Sequence, residues 1–162
     1  MSDNEQTIQN LNTALQMEMS AAHQYQLHAH VLEDWGLTKL AAQMREEMTE
    51  ELGHSDRFIE RIMFLKGTPQ VALAKPIHKA DSLVDMFKTD LADEIEAIEV
   101  YIRAAKAADE LGDIGSREVF EAIALDEEGH KAWLELQLDL IERLGESTYS
   151  SKFVTLGEAE ED

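Results

Sequence analysis

From residue 5 to residue 144 most of the chain follows one rhythm, apolar positions three or four apart with polar ones between, and it breaks in three places. Residues 5–34 and 37–66 carry it on either side of "DWG", and residues 82–111 and 114–144 on either side of "GDIG". Each such segment predicts a long amphipathic helix. Gly36 suits a C-terminal cap, Ser82 an N-cap and Gly145 a stop. Links this short force each pair into an antiparallel hairpin. The third break, "KGTPQVALAKPIHKA", holds both prolines of the chain, Pro69 and Pro76. A helix of about 30 residues is about 45 Å long, and the link over 67–81 is long enough, when extended, to return along it. The expected fold is all-α, a four-helix bundle with one long crossover. Residues 147–154, "STYSSKFV", predict a short fifth C-terminal helix, and 155–162, ending in "EAEED", a flexible acidic tail. Nothing reads as a strand, and 162 residues suit a single domain spanning 1–162.

Two of these helices contain the same short pattern. "EELGHSDR" and "DEEGHKAW" each place an acid, then a Glu, then two spacers and a His: Glu51 and His54 in the first, Glu127 and His130 in the second. Both pairs recur at an offset of 76 residues, and at the same offset Glu18 recurs as Glu94, Tyr25 as Tyr101, Gly36 as Gly112 and Glu50 as Asp126. Each hairpin therefore carries a Glu followed 33 residues later by Glu-x-x-His. Residues three apart on a helix project from nearly the same face, so Glu51 with His54 can grip one metal ion. Glu18 comes level with them across the turn at Gly36. The chain reads as two copies of one metal half-site.

Joining the hairpins about a pseudo-twofold brings Glu18, Glu51, Glu94 and Glu127 together with His54 and His130. Donors of this hardness suit two divalent iron or manganese ions. Four carboxylates buried without cations need protonation instead. Glu50 and Asp126 each stand one turn before a candidate ligand, so they are expected to accept the outer N–H of His54 and His130 at i, i+4, or else to serve in surface ion pairs.

Composition narrows the function further. Asp and Glu number 34 against 14 Lys and Arg, a net charge of -20, which repels a phosphate backbone and attracts cations. Nucleic acid is not an expected partner. Cysteine is absent, which excludes disulfides and thiolate metal sites and fits a reducing cytoplasm. No segment approaches the roughly 18 apolar residues of a membrane span, and the N-terminus lacks the pattern of an export signal, so no membrane is expected.

A Glu from each of two helices plus two Glu-x-x-His motifs is the ligand pattern of ferritin-like carboxylate proteins. Beyond it, "EMSAAHQYQLHAH", "DWGL", "HSDRFIERIMFLKGTP" and "DEEGHKAWLELQLDLIERLG" resemble the bacterioferritin family from end to end. The resemblance implies a ferritin-like bundle with iron ligands at Glu18, Glu51, His54, Glu94, Glu127 and His130, Glu51 and Glu127 bridging. It further implies a ferroxidase that oxidises Fe(II) with dioxygen or hydrogen peroxide, and iron storage as mineral inside a hollow shell of 24 subunits. Tyr25, near the site in that family, would assist electron transfer or hydrogen-bond a ligand. Thr148, Ser150 or Ser151 of "STYSS" are expected to line the fourfold pores.

One position departs from the family. Bacterioferritins usually hold haem b between two subunits through the Met that directly follows the bridging Glu of the second helix, and here that residue is Leu52, which has no lone pair. Met48, one turn earlier, is a weak substitute and is more readily read as packing. No haem site is expected in a homomeric shell, whereas a mixed shell with a haem-binding sister subunit would carry haem between sisters. His23, His28, His30 and His78 lack repeat partners and are assigned to the surface or an interface. Trp35, Trp133, Phe58 and Phe64 are expected to anchor packing. The competing functions are another di-metal carboxylate enzyme, manganese-catalase-like or peroxidase, and a structural subunit of a mixed cage.

Overall fold

The computed structural model describes residues 3–157, of which five segments are helical and none is a strand. The helices are α1 (Asp3–Asp34), α2 (Thr38–Phe64), α3 (Leu83–Glu110), α4 (Ile114–Leu144) and α5 (Glu146–Ser151). The first four lie within three residues of the predicted boundaries. The fifth begins one residue earlier and ends three earlier than the expected 147–154, because Phe153 turns back to accept the Lys39 N–H at 3.2 Å. The start of the expected tail is tied down too, with the Thr155 N–H on the Gly36 carbonyl at 3.4 Å. Residues 158–162, "EAEED", lie outside the described residues.

The turns obey local chemistry. Gly36 and Gly112 close α1 and α3 with φ of 78° and 72°, a region that costs other residues strain. Gly145 ends α4 at φ 79°. Ser82 caps α3 by accepting the Asp85 N–H at 3.0 Å, and Asp113 caps α4 by accepting the Ser116 N–H at 3.0 Å. α1 packs along α2 and α3 along α4, and the two hairpins meet through α1 against α3 and α2 against α4. The crossover lies along α1, whose side chains bind its backbone: Asn12 at Thr68 and Gln70, Ser20 at Ala74, Gln24 at His78.

Two apolar cores result, one toward each end of the bundle. One gathers Leu32, Leu40, Met44, Phe87 and Leu134, and Tyr149 of α5 closes it, its hydroxyl donating to Gln137 at 2.7 Å. The other gathers Leu11, Leu15, Phe58, Ile62 and Phe120. Phe58 and Trp133 pack as anticipated, Phe58 fully buried and Trp133 edge-on to Phe87. Trp35 and Phe64 do not: they are 36 % and 68 % exposed. Trp35 falls at the α1–α2 turn, past the last turn with a partner helix. Phe64 ends α2 and carries the Arg61 guanidinium over its ring at 4.6 Å. That guanidinium also reaches Asp113 at 2.6 Å and Ser116 at 2.9 Å, joining the end of α2 to the start of α4.

Candidate metal centre

Charged side chains interrupt the helix faces between the two cores, and the bundle buries them. Glu18 on α1, Glu51 and His54 on α2, Glu94 on α3, and Glu127 and His130 on α4 are all buried. They form two overlapping groups, Glu18, Glu51, His54 and Glu127 in one and Glu51, Glu94, Glu127 and His130 in the other, each with donor atoms within 4.8 Å of one another. Glu51 and Glu127 belong to both. The two imidazoles face this centre with Nδ1: His54 lies 2.9 Å from Glu127 and 3.6 Å from Glu18 and Glu51, and His130 lies 3.1 Å from Glu51, 3.2 Å from Glu127 and 3.5 Å from Glu94. All six candidate ligands among the residues of the 76-residue repeat thus converge.

The opposite ring nitrogens point to acids, though not the expected ones. His54 Nε2 meets Asp126 at 3.0 Å and His130 Nε2 meets Glu50 at 2.9 Å. Both acids belong to the facing hairpin, so the expectation of i, i+4 partners is corrected: Nδ1 turned toward the centre sends Nε2 across the α2–α4 contact instead of back along its own helix. Glu47 also reaches His130 Nε2, at 2.8 Å. The tyrosines cross in the same manner. Tyr25 donates to Glu94 at 2.7 Å and Tyr101 donates to Glu18 at 2.8 Å, so each phenol fixes a carboxylate of the other hairpin.

Without cations such a cluster must hold protons. Burial raises the Glu18, Glu51 and Glu94 carboxyls above their ordinary range, and nearby carboxylates add to it. Glu127 goes the other way, because the Glu94 carboxyl and the His130 and His54 imidazoles around it outweigh its burial. Burial opposes a charged imidazole, yet contacts with Glu127 and Glu18 push His54 up to about 10, and Glu127 with Glu47 raises His130 as well. Burial and Glu94 hold the Tyr25 phenol neutral, and burial and Glu18 do so for Tyr101.

The donor set fits metal ions. Glu18 Oε2, Glu51 Oε1, Glu127 Oε1 and His54 Nδ1 are buried without a hydrogen-bond partner. His54 Nδ1 and Glu127 Oε1 approach closely but are not aligned as donor and acceptor. Such atoms cost about 1–3 kcal/mol each when left unsatisfied. Atoms roughly 3 Å apart that share no proton suit the edge of a coordination polyhedron with bonds of about 2.1 Å.

Sequence reasoning missed several members of this region. His28, assigned to the surface or an interface, is fully buried and bonds Asp90 at 2.8 Å; His23, His30 and His78 are exposed. Neither His28, Asp90 nor Glu47 has a counterpart at the 76-residue offset, where Ala104, Ala14 and Ile123 stand, so the repeat gave no signal. Met48 is partly buried against its own subunit's core, and Leu52 is 40 % exposed.

The family model for the ferritin-like domain matches residues 8–144. The chain is 41 % identical to the bacterioferritin of Rhodobacter capsulatus over 145 residues, 90 % of each chain, and 40 % identical to that of Streptomyces coelicolor over 154 residues, 95 % of this chain and 92 % of the relative. The solved structure of the R. capsulatus protein, described as having a metal-free dinuclear site and a heme iron, superposes with a TM-score of 0.93 at 38 % identity, covering 98 % of this chain and 99 % of that one. A bacterioferritin of Mycobacterium tuberculosis superposes with a TM-score of 0.90 at 33 % identity, covering 93 % and 94 %. With a complete carboxylate and histidine cluster at the centre of a matching bundle, this chain belongs to the bacterioferritin family.

Proposed function

We propose that the protein stores iron by oxidising pairs of ferrous ions at this centre, as a ferroxidase, and passing the product into the cavity of a closed shell. The observation that carries the reading is the convergence of six buried donors into two groups that share Glu51 and Glu127. Iron bound there supplies the one-electron chemistry. Glu18 and His54 would hold one ferrous ion, Glu94 and His130 the other, with Glu51 and Glu127 between them. Sharing two carboxylates keeps the pair close enough to deliver two electrons to one oxidant. With hydrogen peroxide, two ferrous ions give one electron each, the O–O bond breaks and two hydroxides form; with dioxygen, the same two electrons and two protons yield peroxide.

The remaining residues set the stage for that exchange. Asp126 holds His54, and Glu47 and Glu50 hold His130, with Nδ1 toward the carboxylate cluster. Tyr25 and Tyr101 fix Glu94 and Glu18 through short hydrogen bonds, the role that fits a neutral buried phenol better than electron transfer. The complete donor set favours this reading over a purely structural subunit. The acidic balance of the chain gives the shell a surface that gathers cations.

Leu52, in the position of the family's haem-ligating Met, supplies no axial ligand, and Met48 is partly committed to its own core. Shells of this subunit alone therefore carry little or no haem b. Haem in a mixed shell would lie between methionine-bearing sister subunits. Assembly into 24 subunits, with Thr148, Ser150 or Ser151 around the fourfold pores, supplies the enclosure a mineral needs, and the cytoplasm is the fitting compartment for a chain without cysteine.

Anaerobic ferrous titration of the purified, metal-free shell, followed by oxygen or peroxide, tests the reading. Two ferrous ions per subunit, oxidised rapidly and together, are expected. Saturation at one ion per subunit, or a monomer or dimer as the only species in light scattering, overturns it.

A further inference from the structure

A cavity of about 220 Å³ lies between α1, α3 and the crossover. Its inner end is formed by Glu18, Glu51 and Glu94, all buried, and its outer end by Lys75, Asp93 and Glu96. The Lys75 side chain is 48 % exposed and that of Glu96 62 %, so the cavity runs from solvent to the centre. Among the described residues that line it, five are carboxylic acids and Lys75 alone is basic. Position matters as much as charge. The Ser20 hydroxyl accepts the Ala74 N–H at 2.7 Å and Gln24 binds the His78 carbonyl at 2.9 Å, so both flanks of Lys75 are fixed to α1. The ammonium is ion-paired with Asp93 and stands 3.9 Å from Glu96.

We propose that divalent cations reach the centre through this cavity and that Lys75 governs their passage, by occupying the carboxylates an incoming cation would first meet. The proposal rests on the di-metal reading of the six-residue cluster. An arriving cation must displace the ammonium from Asp93 and Glu96 and is repelled by it until it does. A neutral oxidant crossing the same space experiences neither effect. Lys75 therefore sets the rate of loading and leaves untouched the number of ions held, whose ligands lie at the far end of the cavity.

The test uses cobalt(II), which reports loading by its absorption without oxidation, added to the assembled metal-free shell in a stopped-flow instrument. Lys75→Gln keeps the length of the side chain and removes its charge. It is expected to raise the second-order loading rate roughly three- to tenfold at low ionic strength, the gain fading as salt screens the mouth. Asp93→Asn is expected to slow loading, and Ala97→Phe, which fills the wall of the cavity, to slow it further. All variants should bind the parent's number of cobalt ions at equilibrium. Loading of Lys75→Gln at the parent's rate at every ionic strength rejects the role of Lys75, and unchanged loading of a folded Ala97→Phe shell rejects the passage itself. A parent shell that binds no cobalt rejects instead the metal-centre reading beneath the proposal.

Discussion

Glu94→Gln removes one carboxylate from the centre while keeping the shape of the side chain, and the geometry of the two ligand groups dictates the outcome. Glu94 belongs to the group around His130 and not to the group around His54. The variant should therefore lose one metal position and keep the other. Little should happen to the metal-free fold, because burial and Glu127 already favour the neutral form of the Glu94 carboxyl. The amide can still accept from Tyr25, now 2.7 Å away, and its NH₂ can donate toward Glu127. Metal-free stability should stay within about 1 kcal/mol of the parent. The bound state is where the difference appears: a position occupied at 100 times its dissociation constant contributes about 2.7 kcal/mol, or about 5–10 °C in midpoint for a chain of this size. Cobalt(II) titration followed by calorimetry of the free and loaded shells measures both quantities. Two ions per subunit are expected in the parent and one in Glu94→Gln, with the metal-induced rise in midpoint smaller by that amount. A variant that still binds two ions with unchanged affinity, or one whose metal-free midpoint falls by more than the metal-dependent loss, refutes the assignment of Glu94.

Three further outcomes are expected. Loading the metal-free shell with zinc should release protons, since burial favours the protonated forms of Glu18, Glu51 and Glu94 and His54 is pushed up to about 10; affinity then rises with pH, and calorimetry in buffers of different ionisation enthalpy counts the protons. Leu52→Met should confer uptake of haem b near one per two subunits, read as a bis-methionine spectrum after reduction, whereas such a spectrum from the parent would contradict the reading and direct attention to Met48. Asp113→Ala should destabilise the fold by about 1–3 kcal/mol, through the lost cap on α4 and the lost Arg61 pair. Partial burial works to raise the Asp113 carboxyl, but bonds from Ser116 and Arg61 hold it below its ordinary value. That contribution is present above the unfolded value near pH 4 and fades as pH falls through the lower folded one, so parent and variant should converge in acid denaturation.

The helices, their pairing and the six candidate ligands were legible in the chain because each depends on spacing. Apolar periodicity fixes which face of a helix is buried, links as short as "DWG" and "GDIG" leave no route but an antiparallel return, and Glu-x-x-His places two donors on one face whatever surrounds the helix. The 76-residue repeat then implied a centre with pseudo-twofold symmetry, because two hairpins bearing one half-site each can complete it only by meeting. Contacts between the hairpins were a different matter. Sequence separation measures reach along a helix but not across a bundle, so i, i+4 spacing points Asp126 at the wrong imidazole, and the repeat marks Tyr101 without revealing its bond to Glu18. His28 bonds Asp90 across 62 residues with no motif and no repeat, and an imidazole between Leu27 and Ala29 carries no local sign of the partner folded against it. Lys75 reads as one charge in an irregular link; only the path of the crossover over α1 sets it at the mouth of a cavity that ends on Glu18, Glu51 and Glu94. Local periodicity fixed the helices and their donors, whereas the packing of one hairpin on the other decided which groups meet at the centre and which stand at the mouth of the cavity beside it.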